Sequence, residues 1–247
     1  MQDLSELPRQ RRLRVVTESP TRLAGKAWAF RHAVERDATM RFGRLARRLE
    51  RIGTPAPLVK MAEQASKDES KHMGYCGELA EKYGAPLLEE PLVPSEIAPS
   101  ELRPRQRVLY ELAATCVAET ESTHMLLTLL GGAKKGAMRA LLREFSRDEV
   151  THARMGWAVL ASHKSSDDLS FLATWIPYML ATTAGDSFAA HQRGSEDPSL
   201  FDHGVLPFSV RKQVFVQALE DVIFPGLEAL GVDSAPSRAW LTKALGG

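Results

Sequence analysis

Apolar residues recur along this chain at intervals of three and four, almost never in strict alternation, so the pattern predicts helices and no strands. The first helix is predicted from Ser19-Pro20-Thr21, a capping residue followed by a first-turn proline, to about Ile52 before Gly53-Thr54-Pro55. A second opens after Pro57 and stops at Gly84-Ala85-Pro86. A Pro- and Glu-rich stretch from Leu87 to Arg103 follows, long enough to cross the length of a helix bundle. The third helix is predicted from about Pro104 to Gly131-Gly132, and the fourth from about Ala133 to His163. Two further apolar helices are expected at about Leu169 to Gln192 and Pro207 to Leu230, then a short terminal helix or tail. The chain thus divides into an arm over residues 1–18, a four-helix unit over 19–163 and a helical extension over 164–247 packed on it.

Each of the four long helices carries an acidic residue midway along the face that should be buried. The stripe of the first runs Ala24, Trp28, Arg31, Glu35, Ala38, Phe42, Leu45, Leu49. That of the second runs Leu58, Ala62, Ala65, Glu69, His72, Cys76, Leu79, and that of the fourth Met138, Leu142, Phe145, Glu149, His152, Gly156, Val159. The third reads Val108, Leu112, Thr115, Glu119, Ser122, Leu126, Leu129. It also holds Glu121-x-x-His124 on a neighbouring face; Glu119 is preferred because its stripe is the more aliphatic, with Glu121 the alternative.

Four carboxylates buried together lose several kcal/mol of hydration apiece and repel one another, so they must protonate or be neutralised. Two divalent cations supply the missing charge. Two histidines complete a mixed oxygen and nitrogen donor set suited to iron or manganese, and an i, i+3 spacing puts each Glu and His on one helical face.

This arrangement resembles the ferritin-like di-iron carboxylate superfamily, in which two helices give one Glu each and the other two give Glu-x-x-His. The likeness covers about residues 20 to 163. Ser66-Lys67-Asp68-Glu69-x-x-His72 and Ser146-Arg147-Asp148-Glu149-x-x-His152 also resemble each other, at an offset of 80 (149 − 69), and the lone glutamates keep an offset of 84 (119 − 35). The resemblance implies an all-α ferritin-like four-helix bundle with a long crossover between helices two and three, followed by the two additional C-terminal helices. It implies that Glu35, Glu69, His72, Glu119, Glu149 and His152 hold two Fe ions, with Mn as an option, and that two of the glutamates bridge. It further implies that Asp68 orients His152 and Asp148 orients His72 across the hairpins. Such a centre reacts with O2. The reaction expected from the resemblance is that of a di-iron oxygenase or oxidase acting on a small organic substrate, the catalytic residues being the six ligands. The alternatives are a ferroxidase or iron-binding protein without organic substrate, and a metal-free helical interaction protein.

Composition narrows the partners. Lys+Arg at 32 against Asp+Glu at 31 lacks the basic excess of a dedicated nucleic-acid binder, so no nucleic-acid partner is expected. The two cysteines, Cys76 and Cys116, are too few for a disulfide framework or a rubredoxin module. No apolar run suits a membrane span and no leader pattern follows Met1, so a cytoplasmic protein is expected. No glycine-rich dinucleotide fingerprint is present, so electrons are expected from a separate donor protein. Trp175, Tyr178, Phe188 and Phe201 on the extension are expected to shape a substrate pocket or a homodimer surface. Tyr75, Tyr110 and Tyr178 are read as packed side chains, with redox-active tyrosines near the site as the alternative.

Overall fold

A computed structural model describes residues 18–92, 97–134, 136–188 and 195–246. The arm expected over 1–18 therefore lies, except for Glu18, outside the described residues. Among the described residues the protein is all-helical. The order is α1 (Pro20–Arg51), α2 (Ala56–Lys82), α3 (Pro104–Gly132), α4 (Ala137–His163), α5 (Leu172–Phe188), a 3-10 turn (Pro198–His203), α6 (Phe208–Ala218), a π turn (Leu219–Ile223), α7 (Phe224–Ala229) and α8 (Ala235–Gly246).

The ends of the long helices follow from local chemistry. Ser19 Oγ accepts from Arg22 N at 3.3 Å, and Pro20 fits the first turn, where its missing N–H loses nothing. Both α1 and α2 end where a glycine turns into the left-handed region: Gly53 at φ +80° and Gly84 at φ +71°. Each turn lets the next N–H reach back five residues, Thr54 to Leu49 O at 3.1 Å and Ala85 to Ala80 O at 2.9 Å. Helix α4 begins at Ala137 instead of Ala133, because Gly136 at φ +137° adopts a backbone the helix cannot continue.

Helices α1 and α2 form one hairpin and α3 and α4 another; α2 packs on α4, and α1 on α3. The segment joining the hairpins lies along α1. Ala85 Cβ stands 3.0 Å from where a Cβ on Gly25 would be, at the start of α1. Further on, the Arg36 guanidinium donates to the carbonyls of Leu88, Glu89 and Glu90 at 2.7–2.9 Å, and Leu92 N donates to Asp37 Oδ2 at 2.8 Å. The Arg105 guanidinium then donates to Ile52 O at the far end of α1, 2.9 Å away. The connection thus travels from residue 25 to residue 52, about 40 Å of helix, and starts α3 antiparallel to α1.

The C-terminal helices pack against the outer side of the second hairpin: α6 and the π turn on α3, α5 on α3 and α8. What the apolar pattern predicted as one helix from Pro207 to Leu230 is interrupted by the π turn over Leu219–Ile223, just before Pro225. Proline has no N–H for the ladder, and the wider turn accommodates that loss. The loop before α6 contains the 3-10 turn Pro198–His203, which the pattern missed. It docks on α1, Trp28 Nε1 donating to His203 O at 2.9 Å.

The apolar interior falls into two separate parts. One gathers Phe42, Leu45 and Leu49 of α1 with Ala62 and Ala65 of α2, Leu112 and Val117 of α3, Val159 of α4 and the C-terminal helices. The other gathers Ala24 and Trp28, Cys76 and Ala80, Leu126 and Leu129, Leu142 and Phe145. Along every long helix the gap between the two contains the mid-stripe glutamate. A polar layer divides the core.

Candidate metal centre

All six predicted residues meet in that layer. Two overlapping sets have one donor atom from each member within 4.8 Å of the others: Glu35, Glu69, His72 and Glu149, and Glu69, Glu119, Glu149 and His152. All six are buried; Glu69, His72 and His152 are no more than 1% exposed. Glu121 and His124 belong to neither set. The imidazole of His124 turns back to its own helix, Nδ1 lying 2.8 Å from Thr120 O.

The two glutamates common to both sets each offer one oxygen to each side. Glu69 Oε2 lies 3.3 Å from His72 Nδ1, while Glu69 Oε1 lies 3.0 Å from His152 Nδ1. Glu149 Oε1 lies 3.8 Å from His72 Nδ1, while Glu149 Oε2 lies 3.6 Å from His152 Nδ1. Glu35 stands on the His72 side and Glu119 on the His152 side. The outward ring nitrogens reach across the hairpins: His72 Nε2 is 3.3 Å from Asp148 Oδ2, and His152 Nε2 is 3.4 Å from Asp68 Oδ2. An acceptor at Nε2 holds a proton there and turns Nδ1 into the layer, the nitrogen that a cation would take once its own proton is displaced.

Those inward atoms are left without hydrogen-bond partners. His72 Nδ1, His152 Nδ1, Glu69 Oε2 and Glu149 Oε2 are all buried and unpaired, despite lying within ion-pair distance of one another. Buried polar atoms that converge but do not bond call for a further occupant. Neighbouring donors around an ion with bonds of about 2.1 Å stand about 3 Å apart, so small side-chain adjustments bring these sets to coordination distance. Carboxylates with imidazole fit a divalent first-row ion, and the donor set therefore suits the metal pair expected from the sequence.

Electrostatics without metal follow from the crowding. Burial, then the charges of Glu69 and Glu149, push the Glu35 carboxyl well above its ordinary range. Burial, then Glu149 and Glu69, do the same to Glu119. For Glu69 burial opposes ionisation, but His152 and His72, facing it at 3.0 and 3.3 Å, outweigh it and its carboxyl is lowered. Burial likewise disfavours charge on the histidines, yet the carboxylates around them prevail: His72 is raised, and His152 is pushed up to about 12. The metal-free layer stores protons that a cation would displace.

Two further charged groups bear on this layer, of which the sequence singles out only Glu121. Arg41 of α1 donates from Nη2 to Glu119 Oε1 at 3.2 Å, on the rim of the second set. Its position on α1, six residues past Glu35, reads in the sequence as an ordinary surface arginine. Glu121, read from sequence only as the alternative to Glu119, is itself buried, and burial pushes its carboxyl up to about 7 against the pull of Arg211 on α6. A group whose pKa is raised in the folded state contributes stability that is fully present below its unfolded value, near 4.5, and is lost as pH rises through about 7. Glu121→Gln is expected to remove a stability difference of about 3 kcal/mol between pH 4.5 and 8. Urea midpoints of the variant and parent, compared at both pH values, check this: the variant gains on the parent only on the alkaline side.

The surroundings are aromatic and thiol-bearing. Phe145 stacks on His72 at 4.2 Å between centroids, and Phe42 lies 5.6 Å from the His152 ring. Cys76 and Cys116 are free and buried, and burial pushes both thiols well up, which suits packing over reactivity. Gly156 admits the Cys116 side chain, since a Cβ there would come within 2.8 Å of its Sγ. Tyr110 packs edge-on against Trp175, whereas Tyr178, expected to be packed, is 55% exposed. Phe201 packs beside Gly132 at the Trp28 end, and the Phe188 side chain lies outside the described residues.

Two surface grooves stand apart from the layer. One of about 570 Å³ is lined by His32, Gly74, Gly77, Glu78 and Leu87 among others, and one of about 440 Å³ by Arg103, Arg105, Gln106 and Asp167 among others. Neither includes any of the six residues, nor Trp175, Tyr178 or Phe201. Among the described residues no helix is long and apolar enough to cross a membrane. Comparison with protein-family models, curated proteins and solved structures finds no match.

Proposed function

We propose that the chain is a ferritin-like dinuclear metal protein whose two ions, iron or a manganese and iron pair, react with O2. The observation that carries this reading is that Glu69 and Glu149 each aim one oxygen at each of two histidine-bearing positions, beside unpaired Nδ1 atoms. Glu35 and His72 would complete one position, Glu119 and His152 the other. Bound there, a ferrous pair would supply the electrons for reaction with O2. The residues of the chain hold the ions, keep both imidazoles in one tautomer through Asp68 and Asp148, and exclude water with Phe42 and Phe145.

The leading activity is oxidation or oxygenation of a small organic substrate, with electrons from a separate protein. Insertion of one oxygen atom balances as substrate plus O2 plus two electrons and two protons, giving hydroxylated product and water. A second reading is ferroxidase activity with Fe(II) itself as substrate, which needs no organic-substrate groove beside the centre; the two grooves described above are lined by none of its six residues. A cytoplasmic location and a homodimer are compatible with either reading.

Optical and Mössbauer spectra recorded as O2 is added to the anaerobic ferrous protein test the proposal. Oxidation of about two irons per chain, much faster than that of free ferrous iron, is the expected result. Oxidation no faster than in buffer overturns it. Retention of label from 18O2 in an added substrate selects the oxygenase, and continued uptake of iron beyond two per chain selects the ferroxidase.

A further inference from the structure

The two positions share their bridging glutamates but not their flanking charge. On the His152 side, Arg41 donates to Glu119 Oε1, leaving Oε2 as the oxygen that faces His152 Nδ1, 3.9 Å away. The Arg41 side chain is 19% exposed and its Nε is buried without a partner, so the guanidinium is held at the rim with one face toward the layer. On the His72 side, Arg31 is the nearby cation that acts on Glu35, but its guanidinium lies over the Trp28 ring, 5.2 Å from the centroid. The offset of 84 that relates Glu119 to Glu35 relates Arg41 to Met125, which packs in the apolar cluster at the Trp28 end. The counterpart in the second hairpin of the arginine that bonds Glu119 is thus a thioether, which carries no charge and donates no hydrogen bond.

Resting on the dinuclear reading above, we infer that Arg41 makes the two metal positions unequal: the position of Glu35 and His72 fills first, and that of Glu119 and His152 fills second and more weakly. Arg41 does this in two ways. It occupies one oxygen of Glu119, which restricts that carboxylate to a single donor. It also places a fixed positive charge one carboxylate away from the incoming cation, where the buried setting screens it poorly. Arg41 is a positioning residue, acting through Glu119.

Mn(II) serves as the probe, with metal-free protein of the full chain. Calorimetric titration of the parent is expected to give two steps separated by about tenfold or more in Kd. Crystals exposed to one equivalent should give a stronger anomalous peak beside His72 than beside His152. In Arg41→Met the second step is expected to tighten and the two occupancies to approach equality, while Arg41→Lys, which keeps the charge, retains the inequality. Arg41→Gln, with far-ultraviolet circular dichroism, guards against a variant that fails to fold. Equal occupancy in the parent, or an unchanged ratio in both neutral variants, overturns the inference while leaving the dinuclear reading intact. Absence of Mn(II) and Fe(II) binding in the parent overturns both.

Discussion

Glu149→Ala protein, loaded anaerobically with Fe(II) and desalted, is expected to retain fewer than about 0.5 iron per chain where the parent retains about two. Glu149 and Glu69 are the two residues common to both donor sets, so losing either strips one oxygen from each position at once. Glu69→Ala should behave alike. Loss of a terminal group such as Glu35 removes a donor from one set alone and is expected to leave one ion bound. The helices should survive, because the two apolar clusters that flank the polar layer are untouched by the substitution. Far-ultraviolet circular dichroism of the metal-free variant should match the metal-free parent. Full iron stoichiometry in either alanine variant would refute the assignment. Glu121→Gln, two residues from Glu119 but outside both sets, serves as the control and should keep about two irons.

Metal removal is expected to produce the largest stability change the protein shows. A ligand present at a thousand times its Kd stabilises the folded state by about 4 kcal/mol per site. For a chain of this size each kcal/mol moves Tm by roughly 2–4 °C, so two filled positions should raise it by about 15–30 °C over protein treated with chelator. The shift should be smaller in acid. Glu35 and Glu119 hold their protons well above the ordinary carboxylate range, so loading expels protons and weakens as pH falls. Scanning calorimetry with Mn(II), and with chelator, at pH 5.5 and 7.5 measures both effects. A shift below a few degrees at saturating metal would mean that the buried acids are neutralised by protons alone.

Much of this was legible because the residues that matter violate a strong rule. A glutamate amid Ala, Phe and Leu at helical spacing stands out, and Glu35, Glu69, Glu119 and Glu149 do meet in one layer. The capping residues and the glycines after α1 and α2 were equally plain, since φ above zero demands them. What escaped notice obeys no local rule. Arg41 reads as one of many surface arginines until α3 brings Glu119 beside it. Asp37 and Glu111 are buried acids with no place in a mid-stripe pattern: one receives the Leu92 amide, and the other pairs with Arg48. Glu121 stands in the sequence as the alternative to Glu119 on a neighbouring face; that α6 covers this face is set by packing far along the chain. The π turn and the docking of the 3-10 turn on Trp28 likewise depend on long-range packing that periodicity does not encode.

The donor sets are exchanged between the hairpins. One takes Glu35, Glu69 and His72 from the first hairpin and Glu149 from the second; the other takes Glu119, Glu149 and His152 from the second and Glu69 from the first. Neither hairpin alone owns a complete position. If the two sets take up ions as proposed, closing the halves and binding the ions would be a single linked equilibrium, each ion a clasp across the seam. The long segment strapped to α1 by Arg36 and Asp37 keeps the halves tethered, so such a clasp would form at the high effective concentration of one molecule and not at the dilution of two.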